Sequence, residues 1–218
     1  TRLRRQVTAA AYHADHDRLT GLLNRGGLED AYPAGSGTDR WMMIIDVDAF
    51  KVVNDRYGHP TGDLVLAALA TRIRRVLRTT TGVAGRLGGD EFAVVIPQWC
   101  DVTVIATALA VPFAVPGSST ASVSASIGIT AVPATAPITH ALSQADIALY
   151  HAKRRGRPVT YRPGMTYPRS PSRRRHVRDH RRTTHVRHAL RQRRTVLRPL
   201  ITHTSDMRRP GRPADVSA

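Results

Sequence analysis

The run GRLGGDEFAVVIP, from Gly85 to Pro97, places two adjacent carboxylates, Asp90 and Glu91, at the start of an apolar stretch. Acidic residues are depleted in β-strands, and like charges side by side repel each other. A second pair of acids ends the apolar run WMMIIDVD, at Asp46 and Asp48. If these segments are neighbours in space, the four carboxylates converge and need a cation. Hard carboxylate oxygens select Mg²⁺ or Mn²⁺.

Groups suited to phosphate accompany these acids. Lys51 follows Asp46 by five residues, on the helix after the strand, where its ammonium group is placed to reach a phosphate. Gly88 and Gly89 permit a tight turn whose backbone approaches a bulky ligand. A metal beside phosphate-binding groups indicates a nucleotide site with metal-assisted phosphoryl chemistry.

The apolar pattern predicts the elements that must position these residues. WMMIIDVD is a buried strand, AFKVVNDRYG a short helix closed by Gly58, and GDLVLAALATRIRRVL an amphipathic helix. GVAGRL and EFAVVIP form a hairpin across the glycines. Further along, the sequence predicts DVTVIATALAVPF as a helix capped by Asp101, ASVSASIGITAV as one strand, ITHALSQADIALYHAKRRG as a helix ending at Gly156, and RPVTYRP as a last strand. This order predicts an α/β (α+β) sandwich with a mixed sheet.

Charge divides the chain unevenly. The net charge is +17, and residues 164–218 contribute 15 Arg and 3 Asp to it. Large apolar residues are few from about residue 163 onward, which predicts a disordered tail over 163–218. The sequence predicts a linker helix over 1–14 and one catalytic-type domain over 15–162. Cys100 is the single cysteine, and no apolar run reaches 18 residues, so we expect a cytoplasmic protein without internal disulfides.

Five segments, in this order, resemble the GGDEF domain of diguanylate cyclases over about residues 15–162: DRLTGLLNR, DVDAFKVVNDRYGHPTGD, GRLGGDEFAVVIP, SASIGIT and ADIALYHAKRRGR. The resemblance implies a central five-stranded sheet of mixed, largely antiparallel strands flanked by helices, similar to the adenylyl-cyclase catalytic domain and the polymerase palm. It also implies that two GTP molecules are condensed into cyclic di-GMP with release of two pyrophosphates. Such enzymes act as homodimers, because each domain supplies half of the site.

The same resemblance implies roles for individual residues. Asp46, Asp90 and the carbonyl of Val47 would hold Mg²⁺ or Mn²⁺, two ions per active site. Glu91 would help to deprotonate the attacking 3′-hydroxyl or hold the second metal. The remaining positions would bind substrate: Gly88 and Gly89 face the nucleotide, Asn54 and Asp63 read guanine, and Lys51, Lys153 and Arg157 contact phosphate. Asp63 suits guanine because a carboxylate accepts from N1–H and the 2-amino group, donors that adenine lacks.

Several of these residues also have a purely structural explanation. Asp46 could cap the helix that follows its strand, Asp48 is better explained as a cap or a support for the ligands, and Asp63 could be the N-cap of the next helix. Lys153 and Arg157 could be a solvated helix end that interacts with the helix dipole.

The chain departs from the family in its short segment between Glu29 and Trp41 and at the turn before the signature hairpin. The inhibitory motif of the family, an Arg and an Asp separated by two residues, falls on Thr79, Thr80, Thr81 and Gly82 here, so both charges are missing. We therefore expect no product-inhibition site at this turn.

Three functions compete at this level. The first is an active diguanylate cyclase, whose upstream sensor domain is absent from this sequence. The second is a catalytically silent GGDEF module that binds GTP as a regulatory domain. The third is non-specific contact of the Arg-rich tail with nucleic acid or another polyanion.

Overall fold

β1 (Arg40–Val47) is the central strand of the fold, in a computed structural model that describes residues 12, 14–32 and 37–168. The other strands are β2 (Val83–Gly88), β3 (Glu91–Pro97), β4 (Phe113–Ala114), β5 (Ser122–Val123), β6 (Ala125–Val132) and β7 (Val159–Thr160). Five strands form one sheet in the order β2-β3-β1-β6-β7, which is antiparallel except for the parallel pair β6–β7. The predicted five-stranded mixed sheet is confirmed. β4 and β5 form a separate two-stranded sheet.

The helices cover both faces of this sheet. They are α1 (Arg25–Ala31), α2 (Phe50–Tyr57), α3 (His59–Leu77), α4 (Val102–Ala110) and α5 (Ile138–Arg155). Their ends follow the sequence signals: Asp101 accepts hydrogen bonds from two amides of α4, and α5 ends at Gly156 in the left-handed conformation.

Side chains along β1 point alternately to the two faces of the sheet, and each face has its own hydrophobic core. Met43 and Ile45 pack with the buried face of α3, whereas Met42 and Ile44 pack with α5. All four side chains are almost fully buried, and each stabilises the fold by about 1.5–3 kcal/mol. The same alternation puts Asp46 on the α5 side of the sheet, and this decides which helix can reach its carboxylate.

Two elements have different ends in the structure from those that the sequence predicts. The helix after Asp101 ends at Ala110, because Pro112 cannot continue a helix, and the next residues form β4. ASVSASIGITAV is two strands instead of one. Ser124 separates the two strands, and its carbonyl accepts a hydrogen bond from the amide of Asp48.

The folded part continues beyond the predicted boundary at residue 162. Met165 packs against a small core of Ala148, Ala152 and Val159, and the hydroxyl of Tyr167 donates to Asp146. The predicted N-terminal helix lies almost wholly outside the described residues. The tail from residue 169 lies entirely outside them. Within the described ranges, no helix has the length and apolar character that crossing a membrane requires.

Candidate active site

The acids predicted to converge meet where β1 ends. Asp46 and Glu91 are directly opposite each other in the β1–β3 pair, so their side chains lie on the same face of the sheet. The amide of Val47 donates to the carbonyl of Asp90, at 3.2 Å. This bond holds the turn of the β2–β3 hairpin against the end of the central strand.

The hairpin turn depends on its glycines. Gly88 has φ +146° and Gly89 has φ +54°, and both values are in the region that favours glycine. A Cβ atom added at either position would meet no atom within 4 Å, so the backbone faces open space. The turn therefore offers a ligand close access to the main chain beside Asp90.

The carboxylate of Asp46 is buried, and its closest charged neighbour is Lys153 near the end of α5. The Lys153 Nζ atom is 2.6 Å from Asp46 Oδ2. Burial raises the pKa of Asp46 to about 7; the Lys153 ammonium opposes this rise, while the charges of Asp90 and Asp48 add to it. Burial is therefore the main reason that the pKa of Asp46 lies above its usual value, and the Lys153 ammonium only partly offsets it.

Asp48 does not cap the following helix. Its two carboxylate oxygens accept hydrogen bonds from the hydroxyls of Ser124 and Ser126, each at 2.6 Å. The N-cap of α2 is Ala49, at φ +56°, without a side-chain hydrogen bond. These bonds fix the end of β1 beside the first residues of β6. The capping explanation of Asp48 is therefore wrong, and its role as a support for the metal ligands stays a prediction.

The predicted guanine readers lie on the α2–α3 helix pair. Asn54 faces Gly62, which is so close that a Cβ atom there would overlap the Asn54 side chain. Asn54 Oδ1 is buried, and it has no hydrogen-bond partner within the part of the chain that the structure describes. Asp63 is the exposed fifth residue of α3, whose N-cap is Gly58. The capping explanation of Asp63 is therefore wrong.

The three predicted phosphate contacts lie in different environments. Lys51 is exposed and pairs with Asp55 one turn later in α2, at 3.3 Å. Lys153 forms an ion pair with Asp46, as described above. Arg157 follows the end of α5 and lines a cavity next to β7. The structure brings Lys153 to the carboxylates, and the phosphate roles of all three stay predictions.

An ion pair that the sequence analysis missed supports the hairpin turn. The Arg86 guanidinium contacts the Asp17 carboxylate at 3.1 Å and donates two hydrogen bonds to the carbonyl of Gly89. Asp17 also accepts from the amide and hydroxyl of Thr20, which closes a turn. The Asp-x-x-Thr spacing indicated that local turn, but not its distant partner.

This network changes the ionisation of Asp17. Burial by itself would raise the pKa of Asp17, but the hydrogen bonds from Thr20 and the charge and hydrogen bonds of Arg86 together lower it. Asp17 is therefore held as a carboxylate.

The oxygen donors at the end of β1 fit a hard divalent cation. No group of three or more His, Cys, Asp or Glu side chains among residues 12, 14–32 and 37–168 forms a ready cage. Two carboxylates, Asp46 and Asp90, are close enough for their charges to interact, with the backbone of Val47 between them. Mg²⁺ is commonly held by one or two carboxylates together with substrate phosphates, so these residues fit Mg²⁺ bound along with a nucleotide.

Comparison with known proteins agrees with this geometry. The family described as "Diguanylate cyclase, GGDEF domain" matches residues 14–158, and the chain belongs to that family. Diguanylate cyclase TpbB of Pseudomonas aeruginosa (strain UCBPP-PA14) is 41% identical over 170 residues, which are 72% of this chain and 39% of TpbB. The protein of Escherichia coli K12 called "Probable diguanylate cyclase DgcE" is 36% identical over 75% of this chain and 16% of its own length.

Solved structures show the same fold. The GGDEF domain of TpbB from P. aeruginosa PAO1 has a TM-score of 0.60 at 37% identity, covering 67% of this chain and 94% of that one. The structure of the coiled coil and GGDEF domain of DgcB from Caulobacter crescentus, solved with c-di-GMP, has a TM-score of 0.62 at 29% identity. The match covers 73% of this chain and 92% of that one. The chain thus spans whole GGDEF domains but less than half of the two curated relatives.

Proposed function

We propose that this protein is a diguanylate cyclase that condenses two GTP molecules into cyclic di-GMP and two pyrophosphates. The observation that carries this proposal is the convergence of Asp46, Asp90 and Glu91 at the mouth of an open glycine turn. Membership of the GGDEF family supports it.

Guanine recognition rests on Asn54 and Asp63. The unpartnered Oδ1 of Asn54 and the exposed carboxylate of Asp63 are both acceptors, and guanine presents N1–H and its 2-amino group as donors. Gly62 leaves room for the Asn54 side chain, because a Cβ atom there would overlap its Oδ1. Adenine lacks both donors, so this pair favours GTP over ATP.

The reaction occurs twice for each product: the 3′-oxygen of each GTP forms a bond to the α-phosphorus of the other, and each time the bond to pyrophosphate breaks. Glu91 faces the same side of the sheet as Asp46 and is placed to take the 3′-hydroxyl proton. Lys51, Lys153 and Arg157 would hold the phosphates. When bound by Asp46, Asp90 and the Val47 carbonyl, Mg²⁺ or Mn²⁺, two per site, would neutralise charge on the phosphates.

Each domain offers one such site, and each product needs two GTP molecules, so the working unit is a homodimer whose sites face each other. The curated relatives are far longer than the aligned region, which fits control by an additional sensor domain. The single cysteine and the GTP substrate suit a cytoplasmic location.

The test is incubation of the full chain with GTP and Mg²⁺, followed by chromatography for cyclic di-GMP. Asp90→Asn is the control variant. It keeps the size of the side chain and removes a charge that raises the pKa of Asp46, so the domain stays folded. We expect turnover to fall at least about 100-fold, as when one preorganised electrostatic group is removed.

Two other results have clear meanings. GTP binding without any product would identify the silent regulatory module. Near wild-type turnover by the Asp90→Asn variant would contradict the assignment of the metal carboxylates.

A further inference from the structure

A cavity of about 570 Å³ opens at the edge of the sheet opposite the hairpin, next to the outer strand β7. This volume is within the range of small-ligand sites, about 300–1,000 Å³. We name it the edge cavity. Its polar lining comes from three threonines, one histidine and three arginines: Thr103, Thr107, Thr160, His151, Arg155, Arg157 and Arg162. Residues of β6 and β7 line it, and β6 lies between β7 and the central strand β1.

The edge cavity is strongly cationic. Three arginines line it, Arg155, Arg157 and Arg162, and no Asp or Glu does. None of the ion pairs found over residues 12, 14–32 and 37–168 involves these three guanidinium groups. Guanidinium groups form forked hydrogen bonds with phosphate, and a cluster of three without acidic partners suits a ligand with at least two negative charges.

The floor of the edge cavity is apolar. Ile129, Val159 and Met165 line it, and Ile129 and Val159 are almost fully buried. A site that combines cationic groups, hydroxyls and apolar surface suits an organic anion. A bare inorganic ion would make no use of the apolar surface.

Part of the cavity wall lies beyond residue 158, where the family match ends. The amide of Tyr161 donates to the carbonyl of Ile129 at 2.7 Å, which continues the pairing of β7 with β6. The amide of Met165 donates to the carbonyl of Arg162, and the Arg162 amide donates to the Met165 sulfur. The segment that brings Arg162 to the cavity is thus fixed by main-chain bonds rather than by a ligand.

We propose that the edge cavity binds a small phosphorylated organic molecule of about nucleotide size through Arg155 and Arg162, two arginines that the proposed GTP site does not use. Arg157 is also a proposed contact of the GTP phosphates, so the proposal depends on the other two. The phosphates lie against the arginines, and the uncharged part lies on the floor formed by Ile129, Val159 and Met165. This is a second ligand site, and it stands whether or not the protein makes cyclic di-GMP.

The probe is adenosine 5′-diphosphate, because the guanine-reading pair disfavours adenine. The full chain is titrated without divalent metal, by calorimetry and by amide chemical shifts in NMR spectra. Inorganic pyrophosphate and adenosine, titrated in parallel, separate the contribution of the charges from that of the uncharged part. Arg162→Gln and Thr107→Glu change the cavity, and Arg75→Gln on the exposed side of α3 is the matched control. The Arg-rich tail is present in every variant, so its background cancels.

We expect saturable binding of adenosine diphosphate, with shifts at Thr103, Thr107 and Thr160. Arg162→Gln should weaken it about tenfold, equivalent to about 1.4 kcal/mol, and Thr107→Glu should weaken it further by repulsion. Arg75→Gln should have no effect. Pyrophosphate binding with the same variant pattern also supports the site and identifies phosphate as the recognised part.

Three results would overturn the proposal. The first is no saturable binding of either phosphorylated probe up to about 1 mM, a binding free energy of only about −4 kcal/mol. The second is equal affinity in the Arg162→Gln, Thr107→Glu and Arg75→Gln proteins. The third is loss of binding in Lys51→Gln with no change in Arg162→Gln, which would place the probe's phosphates in the GTP site.

Discussion

Asp63 and Asn54 are held differently, although both are candidates for the same guanine ring. Asn54 is confined by Gly62 and the packing of α2 against α3, whereas Asp63 points from the exposed side of α3. Because Gly58 is the N-cap of that helix, Asp63 has no capping hydrogen bond to lose. An exposed helical carboxylate with no structural task is free to serve a ligand.

We therefore predict that Asp63→Ala leaves folding nearly unchanged and weakens GTP binding. The free energy of unfolding should change by no more than about 0.5 kcal/mol, as for other exposed positions. The affinity for GTP should fall at least about tenfold, because a hydrogen bond to a charged group is worth about 1.5–3 kcal/mol. Thermal melts and GTP titration measure the two effects. Asp30→Ala, an exposed acid on α1, is the control, and a lower melting temperature with unchanged affinity would contradict the prediction.

Two contacts between elements keep the site in shape. Arg86 joins the turn at Asp17 to the carbonyl of Gly89, so the N-terminal turn supports the hairpin. On the other side of the sheet, α5 packs so tightly on β6 that a Cβ atom at Gly128 would lie 2.6 Å from the Cα atom of Leu149. That approach also determines where Lys153 meets Asp46.

The first contact predicts a pH-dependent contribution to stability. The pKa of Asp17 is lower in the folded state than its unfolded value of about 3.9, so its contribution is present above about pH 4. It is lost as the pH falls through the folded pKa. At pH 7, Asp17→Asn should reduce the free energy of unfolding by about 1–3 kcal/mol. Denaturant unfolding at pH 7 and at pH 3 measures the difference from wild type, which should shrink at the lower pH; a difference of equal size at both would argue against an ionised Asp17.

The second contact predicts that Gly128→Ala destabilises the domain. The new methyl group meets the main chain of α5, which cannot rotate away, so the helix must shift outward. We expect a loss of at least about 2 kcal/mol in the free energy of unfolding, measured by denaturant titration. Gly26→Ala is the control, because Gly26 is exposed in α1 and a Cβ atom there stays 3.4 Å from its nearest neighbour. An unchanged Gly128→Ala protein would show that α5 does not pack this closely.

At the scale of the whole molecule, the enzyme we propose lacks one means of control. The turn at Thr79–Gly82 carries no charge, and Gly82 is so close to β3 that a Cβ atom there would be 2.5 Å from the carbonyl oxygen of Val95. An aspartate at this position would therefore clash with the main chain. The loss of the inhibitory motif is built into the packing as well as the sequence.

We predict that cyclic di-GMP does not inhibit synthesis through this turn. Two missing charge-assisted contacts, each about 1.5–3 kcal/mol, weaken product binding by roughly 100- to 10,000-fold. Progress curves with added cyclic di-GMP, and calorimetry without GTP, test this expectation. Micromolar binding that survives Arg78→Ala and maps to Thr79–Gly82 would contradict it.

Local patterns in the sequence were enough to predict most of the elements. Strand alternation, the glycine pair of the hairpin and the caps at Asp101 and Gly156 act over a few residues, so they can be read without knowing what packs where. The predictions failed where a distant contact or a proline overrode the local pattern, as at Ser124 and Pro112. The role of Asp63 was ambiguous because an acid five residues after Gly58 resembles a cap until the start of the helix is known.

The sequence by itself determined that acids, glycines and lysines of a nucleotide site are present, and in which elements they lie. Only the tertiary structure decided which of them meet. Lys153 contacts Asp46, and Arg86 contacts Asp17, across long stretches of chain. Such pairs depend on sheet register and on how closely α5 approaches β6. These properties arise from the packing of the whole core, and no local spacing encodes them.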